Sequence, residues 1–477
     1  MQRITPGQAW QLFGSRATRA LEQQAAAALP PHTLMQRAGL AVARLALAIA
    51  PHARKVWIAC GPGNNGGDGY EAAMHLSKWG KEAVVTWPGD EARLPADARS
   101  SWQRARDASV VFASKMPSQW DLGIDALLGL GATRPPEEPL LGCAQALIGS
   151  AAPVLAIDLP SGMDGDTGQG ATVRAHHTLS LLTLKPGLFT GSGRDAAGQV
   201  WFDGVGVDTS LEQPAAVLNV ASPRAGRMHS SHKGSYGDVA VIGGASGMAG
   251  AALLAASAAL HGGAGRVFVG LLDAAAASVD SAQPELMVRP WDSLDLAAMA
   301  VACGCGGGDA VRSALPRVLS TAQALVLDAD GVNAVAADPQ LQDLLQARGR
   351  RGGRPTVLTP HPLEAARLLG QGTADVQRDR LAAAAALSTR FNCCVVLKGS
   401  GTVIAAPGHC PVINPTGNAR LATAGTGDVL AGMLAARLAA GAQAFEASCD
   451  AVYAHGLAAD QWPAAQPLTA GTLARRA

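Results

Sequence analysis

Short apolar runs recur between Met1 and about Thr209, over Lys55 to Cys60, Glu82 to Trp87, Val110 to Ala113, Leu122 to Leu128, Pro153 to Asp158 and His177 to Leu184. Those with clear successors run into glycine or proline turns, and helix signals fall between them. This predicts short strands of a buried, mostly parallel sheet with helices on both faces. The stretch Ser210 to Arg227, with Pro214, Ser222, Pro223 and Gly226, has no clear period and reads as a linker. Beyond it the alternation resumes over Asp238 to Ile242, Arg266 to Leu271, Ala324 to Asp328, Pro355 to Leu358, Cys393 to Leu397 and Thr402 to Ala405, separated by alanine-rich, helix-forming segments. Two doubly wound α/β domains are the economical reading, and no convincing repeat relates the halves.

Composition narrows the class of partner. In 477 residues, 16% are charged and the net charge is +1, so electrostatics offer no reason to expect nucleic acid or a membrane surface. The apolar run Leu40 to Ala50 is interrupted by Arg44 and is too short to span a bilayer. Met1 to Ala20 carries Arg3, Arg16 and Arg19 without the apolar core of a secretory signal, which makes the cytoplasm the expected location. The eight cysteines form no CxxC pair and no zinc spacing, so they read as reduced core thiols, with Cys393 and Cys394 as strand filler.

In open α/β sheets ligands bind outside the carboxyl ends of strands, so polar groups there carry weight. After Lys55 to Cys60 come Gly61, Gly63, Gly66, Gly67 and Gly69, interleaved with Asn64, Asn65 and Asp68. A bare glycine loop with φ > 0, leading into a helix over Glu71 to Leu76, is expected to approach a ligand with its backbone N–H groups. Asp125 and Asp158 follow apolar strand residues and would be expensive to bury unless paired or bound to a cation. Asp125 could instead cap a helix from Ala126 onward. In the second half, Gly425-Thr426-Gly427-Asp428 precedes an apolar helix, so its N–H groups could stabilise a transferring phosphoryl group while Asp428 takes a hydroxyl proton.

Taken in order, Leu34 to Gly39, the NNGGDG segment, the stretch Asp125 to Pro135, Ile157 to Gly168 and Leu184-Lys185-Pro186-Gly187 resemble the NAD(P)HX epimerase domain over roughly Gln8 to Asp208. The resemblance implies that Asn64, Asn65, Gly66, Gly67, Asp68, Gly129, Leu130, Gly131, Ala132, Thr133, Arg134, Pro135 and Asp158 bind the hydrated dinucleotide. It also implies that Asn65, Asp125 and Ser161 hold a potassium ion. For inversion at a hemiaminal carbon, Asp158 is the first catalytic candidate and Asp68 the second. Lys185 reads either as a phosphate contact or as an exposed, uninvolved lysine.

His232 to Gly237, Gly247 to Ala252, Leu358 to Glu364, Leu397 to Thr402 and the GTGD segment resemble the NAD(P)HX dehydratase domain of the ribokinase-like fold over about Arg227 to Ala458. On that resemblance Ala251, Gly306, His361 and Asp428 contact the hydrated dinucleotide. Lys398, Gly399, Ser400, Gly401, Thr402 and Gly427 contact the nucleotide. His361 also reads as a capping or core imidazole. The chain departs from the family's usual Gly-Pro-Gly-Leu turn with Gly304-Cys305-Gly306-Gly307, which bears on the contact assigned to Gly306.

Together the resemblances imply a Rossmann-like three-layer sandwich over residues 1–212, a linker over 213–226 and a ribokinase-like three-layer sandwich over 227–477. The implied activity is epimerisation of R- and S-NAD(P)HX and dehydration of S-NAD(P)HX to NAD(P)H. Fusion of both domains resembles the bacterial members, so ADP is the expected co-substrate, with Mg2+ on the phosphates and a homo-oligomer as the expected assembly. The alternatives are a small-molecule kinase of the hydroxymethylpyrimidine, thiazole or sugar type with a regulatory dinucleotide-binding domain, or a first half that only binds, as relatives discussed as apolipoprotein-binding proteins suggest.

Overall fold

Each run expected to be a strand contains one. The computed structural model describes residues 1–87, 89–131, 136–222, 226 and 228–477. They divide into two units, Met1–Thr5 with Trp10–Val217, and Pro6–Ala9 with Leu218–Ala477. In the first unit the strands are β1 (Gln2–Arg3), β2 (Lys55–Cys60), β3 (Glu82–Thr86), β4 (Val111–Ala113), β5 (Leu122–Ala126), β6 (Val154–Ile157), β7 (His177–Leu181) and β8 (Gln199–Asp203). They form an eight-stranded sheet in the order β1-β8-β7-β6-β5-β2-β3-β4, parallel except for the edge strand β1. The chain proceeds from β2 to one side and from β5 to the other, so the loops after these neighbours diverge and open a crevice at a topological switch point.

Alternation along β2 explains its burial on both faces. Val56, Ile58 and Cys60 pack on one side with Ile124 and Leu155, while Trp57 and Ala59 pack on the other with Leu147 and Val154. Fully burying each large apolar side chain contributes roughly 1.5–3 kcal/mol. The helices on these faces include α1 (Ser15–Ala28), α2 (Thr33–Ile49), α3 (Asn64–Lys78), α4 (Ala96–Asp107) and α5 (Leu140–Gly149).

The NNGGDG segment corrects the expectation of a bare loop. It is the first two turns of α3, and none of Gly61, Gly63, Gly66, Gly67 and Gly69 has a positive φ. These glycines serve close approach instead. A Cβ on Gly61 would lie 1.7 Å from the Leu127 carbonyl oxygen, and one on Gly66 would lie 2.1 Å from the Gly61 carbonyl oxygen. The alternative in which Asp125 caps a helix from Ala126 does not hold: β5 runs through Ala126, and Asp125 is a strand residue. The segment read as linker contains the strand Ala216–Leu218.

In the second unit the strands are β9 (Asp238–Gly243), β10 (Arg266–Leu271), β11 (Met287–Val288), β12 (Ala300–Cys303), β13 (Ala324–Leu327), β14 (Thr356–Leu358), β15 (Cys394–Leu397), β16 (Val403–Ala405) and β17 (Val412–Ile413). Their order is β11-β10-β9-β12-β13-β14-β15-β16-β17, parallel as far as β15 and antiparallel beyond it. The short strands β8, β11, β12 and β17 were not anticipated from the hydrophobic pattern. Here the switch point lies between β9 and β12. The helices include α6 (Ala249–His261), α7 (Val311–Thr321), α8 (Ala329–Ala337), α9 (Pro339–Arg351), α10 (Pro362–Leu369), α11 (Arg380–Phe391), α12 (Thr426–Ala439) and α13 (Ala444–Asp460). Helix α12 is buried on nearly all sides, as its apolar run Val429 to Ala436 requires. It approaches α6 so closely that a Cβ on Gly432 would lie 1.9 Å from the Ala255 carbonyl oxygen. Among the described residues no helix is long and apolar enough to cross a membrane.

Candidate active sites

A cavity of about 590 Å³ opens at the switch point of the first sheet. Asn64, Asn65 and Asp68 reach it from α3, Gly129 to Gly131 from the turn after β5, Asp158 from the end of β6, and Lys185 from the segment after β7. The sheet order therefore gathers residues more than a hundred positions apart. Of the predicted site residues, Ala132, Thr133, Arg134 and Pro135 lie outside the described residues.

Asp158 adopts φ 65°, a left-handed conformation that costs a non-glycine residue about 1 kcal/mol or more. Local bonds hold it there: its N–H donates to Leu179 O at 2.8 Å, and its Oδ1 accepts from Leu181 N at 3.1 Å. Lys185 is neither exposed nor uninvolved. Its side chain is 1% exposed, its Nζ is ion-paired with Asp158 Oδ1, and it also donates to Leu181 O at 2.8 Å. Asp68 presents part of its surface to the cavity while its carboxyl is surrounded by protein. Burial first, then the charges of Asp158, Glu22 and Glu71, push that carboxyl well above the ordinary carboxylate range. Glu22, on α1, is also raised, by desolvation in the cavity wall and by Asp158. One cavity thus holds carboxyl groups in contrasting environments, Asp158 beside a cation and Asp68 desolvated among like charges, the arrangement that separates a base from an acid.

Asp125 is fully buried beneath this crevice. Ser161 Oγ donates to its Oδ1 at 2.5 Å, Ser161 N to its Oδ2 at 2.8 Å and Leu127 N to its Oδ1 at 3.2 Å. Burial still outweighs these bonds and pushes the carboxyl up to about 6. Asn65 is buried against Gly129, and its Nδ2 has no hydrogen-bond partner among the described residues.

In the second unit, the GTGD segment meets the loops after β12, β13 and β15. Gly425 takes φ 88° ahead of α12, and Asp428 stands in that helix's first turn. Burial, then Asp328, push its carboxyl up to about 6. Asp328, at the end of β13, accepts from Lys398 Nζ at 2.6 Å and from Thr359 Oγ1 at 2.8 Å. Burial alone would lower the Lys398 ammonium, but Asp328 and Glu364 outweigh it and raise it. A Cβ on Gly427 would lie 3.4 Å from Lys398 Nζ, so the two predicted nucleotide motifs converge. Arg380, buried on α11, donates to the carbonyls of Leu397 and Lys398, both at 3.1 Å, and fixes the turn in which Gly399 takes φ 134° and Gly401 φ 60°. Ser400 is exposed at its tip, and Thr402 Oγ1 closes it on Gly399 O at 3.1 Å.

Ala251 and Gly306 also come together: a Cβ on Gly306, which has φ 59°, would lie 2.8 Å from Ala251 Cβ. His361 is the N-cap of α10. Its Nδ1 accepts from Leu363 N at 3.1 Å and Glu364 N at 3.3 Å, and its Nε2 lies 3.3 Å from Glu364 Oε1. The capping alternative therefore holds, and the ring is still half-exposed toward the Lys398 side.

Glu22, Asp328, Glu364, Cys305 and His455 received no site role from the sequence. Asp328 was discoverable, because it ends an apolar strand just as Asp125 and Asp158 do. His455 is buried on α13, lies 2.9 Å from Thr426 O, and is pushed down to about 4 by burial, so a neutral ring steadies the turn that carries Asp428. Nothing local marks it.

Comparison with known proteins adds an independent line. Residues 31–187 match the family model described as YjeF-related protein N-terminus, and residues 239–477 match NAD(P)H-hydrate dehydratase. The bifunctional NAD(P)H-hydrate repair enzyme Nnr of Escherichia coli (strain K12) is 37% identical over 449 residues, covering 90% of this chain and 85% of that protein. The enzyme of the same name from Coxiella burnetii is 34% identical over 474 residues, 94% of each chain. Among solved structures, the ADP/ATP-dependent NAD(P)H-hydrate dehydratase of Bacillus subtilis, co-crystallised with ATP and Mg2+, is 32% identical, with a TM-score of 0.44 over 53% of this chain and 91% of its own.

Proposed function

We infer a division of labour between the two sites from one premise: this chain belongs to the family of bifunctional NAD(P)H-hydrate repair enzymes. The first unit epimerises R- and S-NAD(P)HX, and the second dehydrates the S form to NAD(P)H. The observation that carries this reading is that relatives of that name match across both units while each unit builds its own acid-lined site at a sheet switch point.

In the first unit, loss and return of the substrate hydroxyl passes through a planar centre with cationic character. Asp158, beside Lys185, is placed to stabilise that charge, and Asp68, desolvated and held toward its neutral form, is placed to move the proton. The free N–H groups at the start of α3 face the same cavity and suit a phosphate of the dinucleotide. Asn65, Asp125 and Ser161 offer amide, carboxylate and hydroxyl oxygens, a donor set that suits a hard cation such as potassium. The desolvated Asp125 carboxylate supports that assignment. The ion would offset the buried charge of Asp125.

In the second unit, Asp428 accepts the proton of the substrate hydroxyl as its oxygen attacks the terminal phosphorus of ADP. The P–O bond to AMP breaks; the C–O bond of the resulting phosphate ester then breaks, phosphate departs with the bonding pair, and loss of a proton from the adjacent ring carbon restores the dihydropyridine ring. N–H groups of Gly425 to Asp428 face the transferring group, and Lys398 and Gly427 the nucleotide. Mg2+ is assigned to the nucleotide phosphates rather than to Asp328, whose carboxylate already holds an ammonium. A small-molecule kinase would use the same helix N-terminus, but the family match over 239–477 favours dehydration. Eight free cysteines suit a reducing compartment, and we place the protein in the cytoplasm.

The test incubates the purified protein with mixed R- and S-NADHX and ADP and follows NADH absorbance. Conversion of both epimers faster than spontaneous epimerisation supports the reading. Conversion that halts at the S fraction removes the epimerase.

A further inference from the structure

Cys305 occupies the position where the sequence departs from the expected turn. It sits between Gly304, with φ 118°, and Gly306, with φ 59°, and its side chain is completely buried. The turn is pinned from outside: Gly244 N donates to Cys305 O at 2.9 Å, Ala245 N donates to Gly306 O at 2.7 Å, and a Cβ on Gly304 would lie 2.0 Å from Asp328 O. The thiol therefore has a fixed direction, and it faces two carboxylates. Cys305 Sγ and one oxygen each from Asp328 and Asp428 lie within 4.8 Å of one another.

The partners of the two acids differ. Asp328 is held by Lys398 Nζ and Thr359 Oγ1, whereas the donor group that lies beside Asp428 is the Cys305 thiol, its Sγ within 4.8 Å of a carboxylate oxygen. Burial, with the charges of Asp328 and Asp428, raises the thiol well above its ordinary value, so the sulfur keeps its proton and acts only as a donor. A divalent cation at the same three groups would meet the Lys398 ammonium, which already supplies the counter-charge. The other charges around Asp428 are Asp328 and Asp330, which disfavour its ionised form, and Lys398, which favours it.

We propose that Cys305 is a positioning residue for the dehydration, donating its S–H to the Asp428 carboxylate and so holding that group ionised and aimed at the substrate hydroxyl. The proposal rests on the reading of the second unit as a dehydratase with Asp428 as its base. A donor aimed at the charged form favours that form. Losing it moves the ionisation of Asp428 upward by about one pH unit, the scale of one hydrogen bond to a charged group.

The experiment measures kcat for ADP-dependent NADH formation from S-NADHX between pH 5 and 9, in the full chain and in Cys305→Ala, Cys305→Val and Cys305→Ser. Alanine removes the donor, valine removes it while filling the volume, and serine keeps it. With the wild-type acid limb near pH 6, the alanine and valine variants lose roughly five-fold at pH 6 and little at pH 8.5. Serine stays near the wild type. Epimerisation by the same chain reports whether each variant is folded. An acid limb that stays in place without the thiol, or one that serine moves as far as alanine, overturns the proposal. A wild type with no nucleotide-dependent NADH formation would instead overturn the functional reading beneath it.

Discussion

At the residue scale, both sites use acids whose surroundings set their roles. Replacing Asp428 with Ala should abolish nucleotide-dependent repair while R and S forms still interchange, which chromatography of the two epimers without ADP would show. Loss of both activities would mean that the sites are not independent. Asp158→Asn should do the reverse, and it has a structural consequence as well. Lys185 is 1% exposed, so removing its counter-charge leaves an unpaired buried ammonium and should destabilise the first unit by about 3 kcal/mol. Thermal melting of the variant against wild type checks this; an unshifted transition would mean that water or another acid, such as Glu22, takes over the pairing.

At the element scale, α3 and α10 show how helix starts build the sites. The N-terminus of α3 is wedged under the turn after β5 because two glycines allow contact that any Cβ would block. Gly61→Ala should therefore cost about 3 kcal/mol, whereas Gly63→Ala, whose added Cβ meets nothing within 4 Å, should cost under about 1 kcal/mol. Denaturant unfolding of the two variants measures the contrast, and equal losses would show that the wedge is loose. At α10, burial pushes Glu364 up to about 7 from an ordinary value near 4.5. The folded state thus binds the proton more tightly than the unfolded state. The stabilisation from the protonated form is complete below about pH 4.5 and is lost as pH rises to 7 and above, about 3 kcal/mol in all. Glu364→Gln should flatten the fall in melting temperature over that window. A slope equal to wild type would assign the pH dependence to other groups.

At the scale of the whole molecule, one chain carries an epimerase and the enzyme that consumes one of the epimers, so a mixed pool is repaired without a second protein. Potassium belongs to this scale because it should act on one unit only. Exchanging sodium for potassium at neutral pH should raise the melting transition of the first unit in wild type but not in Asp125→Asn, and leave ADP-dependent dehydration of S-NADHX unchanged. Sodium and potassium acting alike would remove the ion assignment. The sequence by itself determined the alternation of strands and helices, the acids Asp125 and Asp158 at strand ends and Asp428 at a helix start, because apolar runs and their flanking residues are local properties of the chain. Tertiary structure decided the rest. Glycine disfavours helix, yet NNGGDG is helical because close packing of Gly66 against Gly61, Gly67 against Met35 and Gly69 against Ala126 outweighs local propensity. Lys185 on Asp158 and Lys398 on Asp328 are ion pairs between residues distant in sequence, Cys305 lies within 4.8 Å of Asp428, and only the order of strands in each sheet brings these groups together.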